Sequence, residues 1–356
     1  MRSNMPARPG PLFVGLLVVA ALSAPLRDAN ADVFLCASTS AELREALAQV
    51  SDGGPYVDEN TTIRLAPGDY LTGGTPFRSE ALETTGSLTI HGDWAHDCQL
   101  RLQGTPRSVL DAQGVGGVLV IKRPHGSVSI RHLVVRNGNA DVGAGLQVNH
   151  GMESASFVGL YQVVARNNHA SGDGGGLYLF GGAPVNDSPI QIFSSLIVDN
   201  SSGGNGGGAY LATTGGSLSR FSSLTVASNT AVGDGGGIWG TGDQGDFWIR
   251  STIAWDNAPT SLAFDLPLKL DWSNVDTIAP GTVVDAEQVT DVDPMFASPA
   301  TGDYHLGSGT PLIRSGPPLL FSPADLEDHS FPPTNGRFPA EIGAYQDTIF
   351  VDGHEA

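Results

Sequence analysis

One motif constrains the fold of this chain more than any other feature. A polar residue, three glycines, an apolar residue and an aromatic residue follow one another in GDGGGLY (172–178), GNGGGAY (204–210) and GDGGGIW (233–239). An asparagine precedes the first glycine of each triplet by six residues, and an earlier pair shares this spacing: Asn137 with Gly143, Asn168 with Gly174, Asn200 with Gly206, and Asn229 with Gly235. Both series advance by 31, 32 and 29 residues. A fixed period of this size is typical of solenoids and repeat arrays.

Short β-type runs fill each period, from SLTIHG near residue 88 to TIAWDN at 252–257. None is long enough to predict a helix, and 47 glycines in 356 residues provide many tight corners. One coil of a parallel β-helix suits this period, with equivalent residues stacked about 4.8 Å apart. The sequence therefore predicts an all-β, right-handed parallel β-helix with its coils at residues 88–290.

The glycine motif then has a structural interpretation. Asparagine and glycine tolerate the left-handed backbone of a sharp corner. Because side chains alternate along a strand, we expect three residues to point inward and the next three outward. The inward set is Leu177, Ala209 and Ile238, and the outward set is Tyr178, Tyr210 and Trp239. The outward row is either cross-strand packing alone or a platform for sugar rings or a protein partner.

The N-terminal part predicts a cap on the coils, at residues 32–87. In TSAELREALAQV, Thr39 and Glu42 form a capping-box pattern. Leu43 and Leu47 share one helical face, so we expect a short amphipathic helix beside the first strands.

Residues 1–31 predict export. Arg2 and Arg8 precede an apolar run, and Ala29-Asn30-Ala31 offers a cleavage site. Because Pro25 ends the run early, a signal peptide is favoured over a membrane anchor, and no membrane span is expected in the mature chain. The expected location is secreted or at the cell surface.

The cysteines and the charge agree with export. Cys36 and Cys98 are the only cysteines, and a pair in an exported chain predicts one disulfide. The net charge of −19 argues against nucleic acid as a partner, since phosphates would be repelled.

Candidate catalytic residues are few. Asp173, Asn205 and Asp234 occupy one position of the repeat. They are either turn formers before glycine or contain a carboxylate pair, Asp173 and Asp234, whose backbones are about 10 Å apart. Rotation of the side chains would bring the carboxylates nearer to the 6.5–9.5 Å of inverting glycosidases. Arg136 and Arg166 could stack and serve a lyase as base. No metal-ligand spacing is present, so no cofactor is predicted; calcium, which carboxylate oxygens bind, is the alternative left open.

The repeats resemble secreted right-handed β-helix proteins, including pectate-lyase-like domains and polymorphic outer-membrane proteins. The segments DVDPMFASPATGDYHLGSGTPLIRSG (291–316) and NGRFPAEIGAYQ (335–346) are similar to the choice-of-anchor Q module of bacterial β-helix proteins. This resemblance implies a C-terminal cap at 291–346, followed by a short tail at 347–356. The chain departs from the module at 313–316 and 341–346, where family members carry more acidic residues.

Two hypotheses about function follow. The first is a secreted or cell-surface binding or structural protein whose partner is a polysaccharide or a cell-surface protein. The alternative is a polysaccharide lyase or hydrolase, although the motifs of polygalacturonase-like β-helices are absent from the sequence.

Overall fold

Strands of successive coils pair in parallel, in register, because apolar residues alternate along each one and share a single interior. In this computed structural model the chain is a parallel β-solenoid of about seven turns. The structure describes residues 32–151, 156–182, 188–215, 218–317, 324–329 and 341–346. The predicted signal peptide and tail lie outside the described residues.

Each coil has three faces, and the first is formed by a long parallel row. Its strands are Val33–Ala37, Thr61–Leu65, Leu88–His91, Val128–Arg136, Val158–Arg166, Ile190–Phe193, Leu218–Ser222, Asp246–Arg250, Leu268–Asp271 and Val284–Glu287. The strands Val128–Arg136 and Val158–Arg166 bend and continue into the second face. Its other strands are Gly68–Leu71, Ser108–Asp111, Leu196–Val198, Thr225–Ala227, Ile253–Trp255 and Asn274–Val275.

The third face is a separate seven-stranded sheet. It contains Phe77–Glu80, Leu119–Lys122, Leu146–Asn149, Leu177–Gly182, Ala209–Thr214, Ile238–Gly242 and Leu262–Phe264. Four two-residue strands connect the second and third faces: Asn139–Ala140, His169–Ala170, Ser201–Ser202 and Thr230–Ala231. Inward residues of all three faces form one continuous buried core, which confirms the predicted parallel β-helix architecture.

The same left-handed backbone conformation recurs at equivalent corners of successive coils. The corner after the second face is turned by a left-handed residue with φ between 54° and 57° in five successive coils: Asn137, Asn167, Asp199, Ser228 and Asp256. The corner before the third face is turned by the first glycine of the repeat, with φ between 55° and 69°: Gly143, Gly174, Gly206 and Gly235.

Asn137 lies one residue away from its predicted place. Arg136 pairs with Arg166, so Asn137 is opposite Asn167, and Gly138 is opposite Asn168. The chain gains one residue between this corner and Gly174, which explains the 31-residue spacing of the glycines. The stacked asparagines therefore begin at Asn168 and continue through Asn200, Asn229 and Asn257.

The N-terminal end is closed by the helix Ser40–Gln49. Thr39 and Glu42 form the predicted capping box, and Leu43 and Leu47 are buried in the solenoid core. The disulfide between Cys36 and Cys98 is present, with an S–S distance of 2.02 Å. It links the strand Val33–Ala37 to the loop that follows the strand Leu88–His91.

The C-terminal residues do not extend the solenoid. A hairpin of Phe296–Ser298 and Asp303–Leu306, joined by the 3₁₀ helix Pro299–Thr301, packs with later residues against the outside of the second face. We call the described residues of 291–346 the folded-back segment. Its apolar contacts join two sets of residues: Tyr304, Leu326, Ala344 and Tyr345 with Val134, Val164, Leu196 and Val198. The folded-back segment therefore covers a side of the coils in this structure.

Candidate functional site

The aromatic row occupies the outer surface of the third face. Tyr178 pairs with Tyr210, and Tyr210 pairs with Trp239, in consecutive strands. All three side chains are partly exposed. The Tyr178 and Tyr210 rings are parallel, with an interplanar angle of 1° and centroids 5.0 Å apart. Phe180, the next outward residue of its strand, is also partly exposed. The row is thus a strip of partly exposed aromatic side chains on the outer surface of the third face.

The residue that precedes each aromatic side chain of this row points into the core. Leu177, Ala209 and Ile238 are fully buried, so the alternation predicted from the glycine motif is observed. Burial raises the pKa of Tyr178 and of Tyr210. Both phenols therefore stay protonated at neutral pH and keep an O–H donor beside the ring face.

Asp173, Asn205 and Asp234 form hydrogen bonds between coils. The Asp173 Oδ1 atom accepts from the backbone N–H of Asn205 at 2.7 Å, and Asn205 Oδ1 accepts from the N–H of Asp234 at 2.8 Å. The Asp173 and Asn205 side chains thus each satisfy a backbone donor of the next coil. This geometry favours the turn-forming interpretation over a catalytic carboxylate pair.

Arg136 and Arg166 stack in register on the second face, as the lyase hypothesis required. Arg136, however, donates from Nε to Asp111 Oδ2 at 2.8 Å and lies 3.3 Å from Asp69 Oδ1. Arg166 lies where its charge lowers the pKa of Tyr345 in the folded-back segment, although burial raises that pKa more. An arginine already paired with two carboxylates is a poor base, so the arrangement does not favour a lyase.

Metal ligands do not converge in the part of the chain that the structure describes. No group of three or more His, Cys, Asp or Glu side chains there is arranged to hold a metal ion. Within the same residues, no helix has both the length and the apolar character needed to cross a membrane.

Two polar regions were not predicted from the sequence. The first is a groove of about 520 Å³ at the corner after the second face, lined by Asp111, Gln113, Asn137, Asn139, Asn167 and His169, with Gly114 and Gly138. These side chains come from three successive coils. The sequence repeat carried one indication of this groove: a polar residue directly precedes each stacked asparagine.

The second region is a histidine and carboxylate cluster within the folded-back segment. His305 Nδ1 lies 2.7 Å from Asp303 Oδ1, and His305 Nε2 lies 3.4 Å from Glu327 Oε2. His329 Nδ1 is 3.2 Å from Asp325 Oδ2. The cluster joins the hairpin to residues 324–329, a contact between distant parts of the sequence that no local pattern indicates.

The cluster predicts a pH-dependent stability of the folded-back segment. Burial lowers the pKa of His305, but the hydrogen bond that His305 donates to Asp303 and the charge of Glu327 outweigh it, so the pKa is raised above its ordinary value of 6.5. A raised folded-state pKa contributes stability that is complete below about pH 6.5 and is lost as the pH rises through the folded value. We expect His305→Gln to lower the melting temperature more at pH 6 than at pH 9.

The comparison must be made against wild type at each pH. His91 and His150 act in the opposite sense, because burial lowers their pKa to about 3 and about 4. Both destabilise the fold as the pH falls below about 6.5, where the unfolded chain takes up their protons. An effect of His305→Gln that is equal at both pH values would contradict a role of the His305 charge in holding the hairpin to residues 324–329.

Comparisons with known proteins add no relative: no family model matches this chain, and no curated protein matches it.

Proposed function

We propose that this protein is an exported β-solenoid that binds a polysaccharide along its third face. The observation that carries the proposal is the parallel, partly exposed stack of Tyr178 and Tyr210, in register with Trp239. Because the two rings stack on each other, they present their edges and phenol groups outward at a regular spacing. The edges contact the apolar C–H groups of sugar rings, and the phenol groups hydrogen-bond hydroxyls. A cell-surface protein with a complementary strip is the second partner that this surface suits.

Export rests on separate observations. The sequence of residues 1–31 has the pattern of a signal peptide, and the Cys36–Cys98 disulfide suits an oxidising compartment. The resemblance of residues 291–346 to a choice-of-anchor Q module belongs to the same proposal. It is supported by the packing of the folded-back segment as a distinct unit on the second face.

A binding role is favoured over catalysis because three of the candidate catalytic side chains have structural partners. Asp173 and Asn205 bond the next coil, and Arg136 is paired with Asp111. A new ultraviolet absorbance on incubation with uronate polymers, or release of reducing ends from neutral ones, would instead favour the lyase or hydrolase.

The aromatic row can be tested by truncating its members. We expect Tyr210→Ala and Trp239→Ala each to weaken binding of a polysaccharide found by screening by roughly ten-fold, since stacking on an aromatic platform contributes about 1–3 kcal/mol. Affinity electrophoresis in gels containing candidate polysaccharides would measure this.

Tyr161→Ala is the matched control. Tyr161 also packs on a neighbouring ring, Phe193, with centroids 5.6 Å apart, but lies on the first face. Its loss should leave the affinity unchanged. Equal weakening by Tyr161→Ala and Tyr210→Ala would show that general destabilisation, and not the third face, causes the effect.

A further inference from the structure

The groove at the corner after the second face has unused hydrogen-bonding capacity. We call it the corner groove. The side-chain amides of Gln113, Asn139 and Asn167 are exposed, and none of them bonds to another residue in the described ranges. His169 Nδ1 lies 2.8 Å from Ser201 Oγ, which leaves Nε2 available. An amide offers donors and acceptors side by side, a combination that pairs of neighbouring hydroxyl groups match.

The charge of the corner groove is balanced. The carboxylate of Asp111 accepts from Arg136 Nε at 2.8 Å, from Asn137 Nδ2 at 2.9 Å and from the N–H of Gln113 at 2.7 Å. Burial raises the pKa of Asp111, but these three hydrogen bonds outweigh it and hold the pKa below its ordinary value. Because this charge is neutralised and no lining residue is a free lysine or arginine, the site suits an uncharged ligand.

The same corner binds a hydroxyl group elsewhere in this chain. Asp199 is the corner residue of the coil after Asn167. Its carboxylate accepts from the hydroxyl of Tyr304, which lies 3.2 Å from Oδ1 and belongs to the folded-back segment. That segment therefore covers the corner from Asp199, whereas the equivalent positions Asn137 and Asn167 line an open groove.

We propose that the corner groove binds a neutral oligosaccharide, whose hydroxyls occupy the place that the Tyr304 hydroxyl takes one coil further on. The lining has no apolar side chain, so the groove lacks the pockets that peptide side chains require. Gln113, Asn137 and Asn167 span two coil steps, or about 10 Å, which is enough for two sugar units. The inference shares only its ligand class with the proposed function and uses a different surface.

Nuclear magnetic resonance can test the two surfaces separately. The backbone amides of Gly114 and Gly138 report on the corner groove, and that of Tyr210 reports on the aromatic row. The probes are cellohexaose, laminarihexaose and mannohexaose, with hexagalacturonate as the charged comparison, all at millimolar concentration. We expect at least one neutral probe to shift the groove amides, and hexagalacturonate to bind more weakly.

A double variant, Asn139→Ala with Asn167→Gly, should weaken this binding by about ten-fold, because two hydrogen-bonding groups are lost. Glycine is chosen at 167 because the backbone there is left-handed, with φ of 55°. Trp239→Ala should leave the groove shifts unchanged, and an unaltered melting temperature of the double variant excludes misfolding.

The proposal is overturned if no neutral probe shifts the groove amides, if hexagalacturonate binds there most tightly, or if the double variant binds as wild type does. Shifts at Tyr210 alone would support the proposed function and reject the corner groove. Shifts at Gly114 and Gly138 alone would support binding in the corner groove and reject binding at the aromatic row.

Discussion

Replacing Gly207 with alanine is expected to lower the free energy of unfolding by about 3 kcal/mol or more. A Cβ atom at this position would lie 2.2 Å from the carbonyl oxygen of Thr230 and 2.5 Å from that of Gly236. Both atoms are backbone of the next coil, and that coil is held by parallel strand pairing on each side. The clash therefore cannot be relieved by rotating a side chain, and neighbouring coils must separate.

Gly117→Ala is the matched control for this substitution. Gly117 is also buried, but a Cβ there would meet its nearest neighbour, Ala140 Cβ, at 3.6 Å. The change should alter the free energy of unfolding by less than about 1 kcal/mol. Urea denaturation followed by circular dichroism would measure both variants. Equal midpoints for the two would show that the repeat glycines are not required by close coil packing.

The coil architecture was predictable from the sequence because one sharp corner of the backbone recurs with a fixed period. The glycine triplet marks that corner, yet its glycines have different roles. The left-handed backbone falls on the first glycine, such as Gly206, with φ of 67°. The middle glycine, Gly207, is required by its distance to the next coil. A sequence pattern cannot separate these reasons, because glycine is the solution to both.

The position of Asn137 illustrates a second limit. Matching asparagines by their distance to glycine places Asn137 with Asn168, whereas strand pairing places Arg136 with Arg166. Aligning coils by the ends of their strands predicts the register better than aligning them by the distance from asparagine to glycine. Strand pairing is set by the alternation of buried residues along the strand. Loops at corners can gain a residue without disturbing the coil, so spacings measured across them are less reliable.

The folded-back segment could not be placed from the sequence at all. Its resemblance to a known module predicted a C-terminal cap, but its position depends on contacts across long separations, such as that between Arg101 and Asp328, 2.7 Å apart. The available signal was a set of outward apolar residues on stacked strands, which require a cover: Val134, Val164, Leu196 and Val198. The corner groove was hidden for a related reason, since its lining comes from three coils.

Removal of one stacked asparagine is expected to cost about 4 kcal/mol. Asn200 is buried and its side chain joins three coils. Its Oδ1 atom accepts from the N–H of Asn168 at 3.1 Å and from Asn168 Nδ2 at 2.9 Å. Its Nδ2 atom donates to the carbonyl oxygen of Ala165 at 3.0 Å and to Asn229 Oδ1 at 2.9 Å.

Asn200→Ala would therefore leave the N–H of Asn168 and the carbonyl of Ala165 buried without these partners. Each such group costs about 1–3 kcal/mol, which gives the expected total. Asn149→Ala is the control: Asn149 lies in a strand of the third face and is partly exposed, so its loss should change stability by less than about 1 kcal/mol. Denaturant unfolding would compare the two variants with wild type. If Asn200→Ala were no more destabilising than Asn149→Ala, the coils would be held by strand pairing and the apolar core alone, and the stacked asparagines would contribute only to the shape of the corner.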